Sequence, residues 1–146
     1  MTQGFGEGPQ RILLVRHGET TFNAEGRIQG SLDVSELNAI GRSQASAMGR
    51  FLADTEANLG HIVVSPMRRA RQTLSLVREE LLRADDAGDG NMGAPISSTD
   101  IVVDEVREID LWEWQGKLKT DLERDLPSEY KVWKESPGDL RLSGGR

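Results

Sequence analysis

A short apolar run that leads directly into an Arg-His-Gly turn is the feature that most constrains how this chain folds. Residues 12–15 (Ile-Leu-Leu-Val) are contiguous rather than alternating apolar residues, which is typical of a strand buried on both faces of a parallel sheet. Arg16, His17 and Gly18 follow at once. Open α/β sheets present ligand sites at the carboxyl ends of their strands. His17 is therefore predicted to lie at a rim that a ligand can reach.

The rest of the chain alternates helix-like and strand-like segments. Apolar spacings of three and four residues predict helices, and β-branched runs predict strands. After the first run, the predicted elements are a loop with at most one helical turn over 18–35, helices over 36–54, 68–83 and 118–135, strands over 61–64 and 101–103, a surface loop over 84–98 and a tail from 137. This order predicts an α/β fold, a three-layer sandwich with a mostly parallel central sheet.

Length and composition exclude several classes of protein. The 146 residues suffice for one domain with a core but are too few for two. Acidic residues outnumber basic ones, 24 to 18, and the net charge of −6 argues against a nucleic-acid partner. The lack of cysteine excludes disulfides, thiolate metal sites and cysteine nucleophiles. No apolar run reaches the roughly 20 residues that cross a bilayer, so no membrane partner is expected.

The N-terminal residues 1–10 are rich in glycine and predict a flexible leader. They contain no basic region followed by an apolar segment, as a secretory signal would, and they lack the Arg and Ser content of a transit peptide. The absence of cysteine fits a reducing compartment. We therefore expect an intracellular protein, cytoplasmic, or located in the chloroplast if a transit peptide has been removed.

Charged residues at the three predicted strand ends form a pattern suited to phosphoryl transfer. His17 with Arg16 follows the first strand, an arginine cluster at 68–71 follows the second, and Glu105 and Glu108 follow the third. A neutral histidine is a nucleophile, arginine forks match phosphate oxygens, and a carboxylic acid protonates a leaving alkoxide. If extended, the two glutamates lie on different faces, so only one should point into the site.

The charged residues at the predicted strand ends do not indicate a metal site. No His or Asp cluster has the spacing of metal ligands, and the arginines supply the positive charge that a metal would bring. The sequence thus predicts no metal and no other cofactor.

Three motifs, in order, resemble the histidine phosphatase superfamily, the family of the cofactor-dependent phosphoglycerate mutases. Residues 15–20 (Val-Arg-His-Gly-Glu-Thr) with Asn23 resemble its first signature, and 26–30 (Gly-Arg-Ile-Gln-Gly) resemble the segment that follows. Residues 65–73 (Ser-Pro-Met-Arg-Arg-Ala-Arg-Gln-Thr) resemble the second motif, and 107–116 resemble the segment with the family's acid. The resemblance implies a phosphoglycerate mutase-like fold. Within the superfamily it is strongest to 2-carboxy-D-arabinitol-1-phosphatase-like proteins of plants and algae.

The resemblance also implies a role for each matching position. His17 would form a phosphohistidine, and Glu108 would act as the proton donor. The implied phosphate ligands are Arg16, Asn23 and Arg69, and the implied substrate contacts are Arg27, Gln29 and Gly30. Arg27 has an alternative, which is to order its own loop.

The family's second active-site histidine has no counterpart in the matching motifs. The other histidine of this chain, His61, stands at the start of the second predicted strand. In the family a further helix and the strand with the second histidine follow the region of residue 133. We therefore expect residues 11–146 to be the N-terminal portion of a histidine phosphatase domain, lacking the second-histidine strand.

The expected function is that of a phosphatase acting on a small phosphorylated organic acid or sugar through a phosphohistidine. One alternative is a cofactor-dependent phosphoglycerate mutase, which returns the phosphoryl group to the substrate. The other is a catalytically inactive phosphoester-binding or regulatory protein, which the unmatched second histidine favours. The expected partner is a small phosphorylated metabolite, and a homodimer is left open.

Overall fold

The computed structural model describes residues 12–55, 59, 61–86 and 100–142. The leader predicted over 1–10 and most of the loop predicted over 84–98 lie outside these residues. In chain order the elements are helix α1 (Thr21–Ala24), helix α2 (Ala39–Asp54), strand β1 (Ile62–Val64), helix α3 (Arg68–Asp86), strand β2 (Asp100–Val102), helix α4 (Lys119–Asp125) and helix α5 (Pro127–Glu135), with 3₁₀ turns at Asp104–Val106, Trp112–Trp114 and Pro137–Asp139.

Strands β1 and β2 pair in parallel, as the alternation of strands and helices predicts. Val63 lies opposite Ile101 in the register. An ion pair between Arg78 and Asp100 fastens the middle of α3 to the first residue of β2. Over the residues described, the sheet consists of these two strands. The parallel α/β arrangement is confirmed.

The run 12–15 is not the buried strand that its composition predicts. It lies outside any strand, and its four side chains are 84, 52, 94 and 47% exposed. A strand forms only where a neighbour takes up its backbone N–H and C=O groups, and β1 and β2 pair with each other instead. An apolar run indicates that its side chains favour burial, but a strand forms only if a neighbouring strand is available to pair with it. The run is therefore an exposed apolar surface.

Helix boundaries follow local capping rather than apolar spacing. The Asn38 side chain accepts a hydrogen bond from the Gly41 amide at 2.8 Å, so α2 begins at Ala39 and not at residue 36. The helix predicted over 118–135 is two helices, because Leu126 leaves helical geometry (φ −134°, ψ 55°) immediately before Pro127. Among the helices described, none is both long and apolar enough to span a bilayer.

Two hydrophobic clusters hold the fold together. The helix cluster joins α2 to α3 through Leu52, Val77 and Leu81. The C-terminal cluster contains the buried residues Ile28, Leu111, Trp114, Leu122 and Tyr130. Leu140 and Leu142 pack against the C-terminal cluster, so the end predicted as a tail is part of the core as far as residue 142. Ile28 belongs to residues 26–33, which we call the bridging loop.

Gly41 is required for the contact between α2 and the turn that carries His17. A Cβ at Gly41 would overlap the backbone of Glu19, and a Cβ at Gly18 would overlap the carbonyl of Gly41. Gly41→Ala should therefore lower the free energy of unfolding by about 1–3 kcal/mol, although alanine favours an unhindered helix position by about 1 kcal/mol. Urea unfolding measures the change, and Gly138→Ala is the control, because its Cβ meets no atom within 4 Å.

Candidate active site

His17 is held by its own turn in a defined tautomer. Its Nδ1 lies 2.7 Å from the carbonyl oxygen of Gly18, and the ring is half-buried. Because a carbonyl only accepts hydrogen bonds, Nδ1 must carry the proton in this contact. The neutral ring then has its lone pair on Nε2, which is the nitrogen available for attack on an electrophile.

The turn is anchored to helix α3 through Thr73. The Gly18 amide donates to Thr73 Oγ1 at 3.1 Å, and the same hydroxyl donates to the carbonyl of Arg69 at 2.8 Å. Thr73 is 5% exposed. The nucleophile and the first turn of α3 are thus connected by one buried side chain.

Asn23 is fixed by a capping box at the start of α1. Its side-chain Oδ1 accepts hydrogen bonds from the backbone amide of Thr20 at 3.1 Å and from Thr20 Oγ1 at 3.0 Å. The backbone amide of Asn23 donates in return to Thr20 Oγ1. Thr20 is fully buried. Since the side-chain oxygen of Asn23 is engaged within α1, its NH₂ group is the part suited to donating to a phosphate.

Arg69 is a buried cation that holds the bridging loop. It is 2% exposed, and its guanidinium donates to the carbonyls of Gly30 at 3.1 Å and of Leu32 at 3.5 Å. Burial lowers the pKa of this guanidinium below its ordinary value, while the charges of Glu108 and Asp33 act in the opposite direction. Gly30 adopts φ 52°, a left-handed conformation that glycine tolerates best.

Glu108 lies within electrostatic reach of both His17 and Arg69. Its charge acts to raise the pKa of each, and its exposed carboxylate accepts from the Ile109 amide at 3.1 Å. Glu105 has no such influence on His17. It belongs to the 3₁₀ turn Asp104–Val106, so the condition under which the two glutamates would lie on different faces is not met. Of the pair, Glu108 is the one placed near the nucleophile.

The His17 pocket, an open cavity of about 410 Å³, contains some of the predicted ligands and not others. Its walls are formed by Val15, Arg16, His17, Gly18, Glu19, Asn23, Gln44, Ala45, Met48 and Thr73. Arg16 and Asn23, both predicted as phosphate ligands, therefore share one cavity with the predicted nucleophile. Arg69 and Glu108 influence His17 electrostatically but do not line this cavity.

The predicted substrate contacts build the loop and do not line the pocket. Arg27 forms an ion pair with Glu25 at 2.5 Å and donates to the carbonyl of Gly116 at 2.8 Å. Gln29 lies 2.9 Å from the Thr20 hydroxyl, and Gly30 accepts from Arg69. These contacts favour the loop-ordering alternative for Arg27. Substrate binding by the three residues stays a prediction.

His61 lies at the end of β1 that is remote from the site. It immediately precedes Ile62, the first residue of β1, whereas Arg69 follows the last residue of that strand. Its side chain is exposed. Its place before β1 gives no support for a role as the second active-site histidine.

Sequence reasoning missed the residues that brace the His17 turn. The Glu19 amide donates to Gln44 Oε1 at 2.9 Å, and Asn38 donates to Glu19 Oε1 at 2.7 Å. Thr73 had a sequence signal, because it is a polar residue on the apolar face of a predicted helix. The contact between Glu19 and Gln44 has no signal in the sequence, because the two residues are 25 positions apart in the chain. Over the ranges described, no group of three His, Asp or Glu side chains is arranged to hold a metal ion.

His17 should become protonated at a lower pH than an ordinary histidine, because its pKa is lowered. Burial is the main effect that lowers the His17 pKa from 6.5, and the charges of Arg69 and Arg16 lower it further. The Gly18 hydrogen bond and the charge of Glu108 act in the opposite direction. An NMR titration should therefore show a midpoint below pH 6.5, and the acid limb of kcat/KM should follow it. The unfolded chain binds this proton more readily, so His17 lowers stability as the pH falls through 6.5. A midpoint at or above 6.5 would contradict the burial described here.

The chain matches a known family over nearly all of its length. Residues 12–146 match the histidine phosphatase superfamily (branch 1). The 2-carboxy-D-arabinitol-1-phosphatase of Triticum aestivum is 33% identical over 92% of this chain and 24% of that protein. The glucosyl-3-phosphoglycerate phosphatase of Mycolicibacterium vanbaalenii is 33% identical over 86% of this chain and 48% of that protein. The metal-independent phosphoserine phosphatase of Arabidopsis thaliana is 31% identical over 92% and 50%.

Solved structures agree with the fold. YhfR of Bacillus stearothermophilus superposes with a TM-score of 0.67 at 29% identity, covering 90% of this chain and 56% of that one. The mycobacterial glucosyl-3-phosphoglycerate phosphatase in complex with VO₃ gives 0.63 at 29% identity, covering 82% and 50%. The chain spans about a quarter to about half of the length of the curated relatives named here. Because the motifs, the fold and the family match over residues 12–146 agree, the chain belongs to the histidine phosphatase superfamily.

Proposed function

We propose that this chain carries the nucleophile of a phosphatase that hydrolyses a small phosphorylated organic acid or sugar through a phosphohistidine at His17. The observation that carries the proposal is the hydrogen bond from Nδ1 to the Gly18 carbonyl, which leaves the Nε2 lone pair free. Arg16 and Asn23 share the pocket with this ring. The names of the relatives support the substrate class, because they refer to phosphates of a carboxylated sugar alcohol, a glycosylated glycerate and an amino acid.

The proposed reaction has two chemical steps. In the first, Nε2 of His17 forms a bond to phosphorus, the P–O ester bond breaks, and the protonated Glu108 carboxyl gives its proton to the leaving oxygen. In the second, the Glu108 carboxylate takes a proton from water as that water attacks phosphorus. The P–N bond then breaks and its electron pair returns to Nε2. Arg16 and Arg69 stabilise the negative charge of the phosphoryl oxygens in both steps.

A binding protein without turnover is the second candidate, and the position of His61 favours it. His61 precedes β1 and is not at the strand end that leads to Arg69, so it does not supply the family's second histidine in this alternative. In this alternative Arg16 and Arg69 hold a phosphoester while His17 stays unphosphorylated.

Incubation with an aryl phosphate and, separately, with phosphoglycerates distinguishes the candidates. The proposal expects release of inorganic phosphate together with an acid-labile phosphoprotein. Transfer of the phosphoryl group between phosphoglycerates without release of phosphate would establish the mutase alternative. Saturable phosphate binding with neither turnover nor phosphoprotein would establish the binding protein and overturn the proposal.

A further inference from the structure

We infer that Thr73 is a positioning residue for His17: its hydroxyl holds the peptide unit between His17 and Gly18 against the helical turn of Arg69 and thereby keeps the His17 ring in place with Nε2 free. The inference rests on the proposed role of His17 as nucleophile. Thr73 stands 55 residues from Gly18 in the chain.

The direction of each hydrogen bond in this connection is fixed by chemistry. The Arg69 carbonyl only accepts, so the single Thr73 hydroxyl proton is donated to it at 2.8 Å. The Gly18 amide only donates, so it uses a lone pair of the same oxygen at 3.1 Å. A threonine that bonds back to the carbonyl four residues earlier is common in helices. Here the remaining lone pair is used to hold another segment.

The Gly18 residue is confined from both sides. Its amide is held by Thr73, and its Cα packs so closely against the backbone of Gly41 that a side chain would not fit. Its carbonyl in turn accepts the Nδ1 proton of His17 at 2.7 Å. Two hydrogen bonds therefore connect the Arg69 carbonyl through Thr73 to the Gly18 amide, and a third connects the Gly18 carbonyl, on the other side of its Cα, to the imidazole.

Loss of the Thr73 hydroxyl would remove both the hydrogen bond to the Arg69 carbonyl and the hydrogen bond from the Gly18 amide. Thr73 is 5% exposed, so water cannot readily replace its oxygen as the partner of the Gly18 amide. The peptide unit between His17 and Gly18 then loses its anchor. The carbonyl that fixes the tautomer belongs to the next peptide unit, which Gln44 holds through the Glu19 amide. The loss therefore displaces the His17 backbone, and with it the ring, relative to that carbonyl. Because a displacement of about 1 Å in a reacting group can cost about 10²-fold in rate, the effect should fall on kcat and leave KM nearly unchanged.

The test compares Thr73→Val, which keeps the shape but lacks the hydroxyl, with Thr73→Ser, which keeps the hydroxyl. In ¹⁵N NMR spectra of the histidine rings, the wild type and Thr73→Ser should show His17 protonated at Nδ1, and Thr73→Val should show a mixture of tautomers. The pKa of His17 should fall further in Thr73→Val, because the Gly18 hydrogen bond that raises it is weakened. The kcat should drop about 10- to 100-fold, and Ser75→Ala on the exposed face of α3 should change none of these quantities.

The ring measurements need no turnover, which separates this inference from the proposed function. A tautomer, pKa and kcat unchanged in Thr73→Val would overturn the positioning role even if His17 is phosphorylated. A tautomer shift in a protein that never forms a phosphoprotein would support the role of Thr73 and reject the phosphatase. If Thr73→Val does not fold, hydrogen exchange of the wild-type Gly18 amide decides: protection supports the bond to Thr73, and exchange at the rate of an open amide contradicts it.

Discussion

Replacing His17 by alanine is expected to abolish phosphohistidine formation and to lower kcat/KM for an aryl phosphate by at least about 10³-fold. The substitution removes the only atom in the pocket, Nε2 of the ring, that the proposal assigns to attack on phosphorus. The fold should survive, because the ring is half-buried and its one hydrogen bond is to the neighbouring residue. Steady-state turnover and acid-labile phosphoprotein are the two measurements.

His61→Ala is the matched control for that substitution. His61 is the only other histidine of the chain, and it lies at the opposite end of β1 from Arg69. Its replacement should leave turnover and phosphoprotein unchanged. Turnover that survives in His17→Ala, or is lost in His61→Ala, would show that the nucleophile has been assigned to the wrong residue.

Arg69→Met should reduce both stability and phosphate binding, since Arg69 contributes to the loop and to the charge near His17. The carbonyls of Gly30 and Leu32 lose their buried donor, which should lower the free energy of unfolding by about 2–3 kcal/mol. Removal of the positive charge should weaken binding of inorganic phosphate by about 10-fold or more. Urea unfolding and a phosphate titration measure the two effects separately.

Arg68→Met provides the comparison within the same helical turn. Arg68 is exposed and forms an ion pair with Glu36 at 2.6 Å, with side chains 52% and 46% exposed. Such pairs contribute at most about 1 kcal/mol. Equal losses of stability and phosphate affinity in the two variants would contradict the distinct role given to Arg69.

The elements that depend on nearby residues could be predicted from the sequence. Helix α3 begins at Arg68, as its apolar spacing predicts, and extends three residues past the predicted end at 83. The parallel pairing of β1 with β2 followed from the alternation of elements. The proximity of Arg69 to Glu108 followed from the rule that carboxyl ends of parallel strands meet at one edge. Their proximity to His17 did not follow from it, because the run 12–15 before His17 is not a strand.

Features that depend on distant residues could not be predicted. The run 12–15 has the composition of a strand, but no local pattern reveals whether a pairing partner is present. The hydrogen-bond partner of the Arg27 side chain could not be predicted either, because the carbonyl that accepts from it belongs to Gly116, 89 residues away. The bracing of the His17 turn depends on a hydroxyl 55 residues away. Local sequence encodes conformational preference, whereas these contacts are made by the tertiary fold.

The bridging loop has a consequence for how the site opens. On one side it is held by Arg69 of α3, and on the other by Gln115, whose Oε1 accepts from the Leu32 amide at 2.7 Å. The helix cluster and the C-terminal cluster share no residue, and we expect two such units to open locally with different free energies. Transient opening of the C-terminal cluster would move Leu111, and with it the nearby Glu108, away from His17, which stays in place. Catalytic competence would then be set by the least stable cooperative unit of the chain, well before global unfolding.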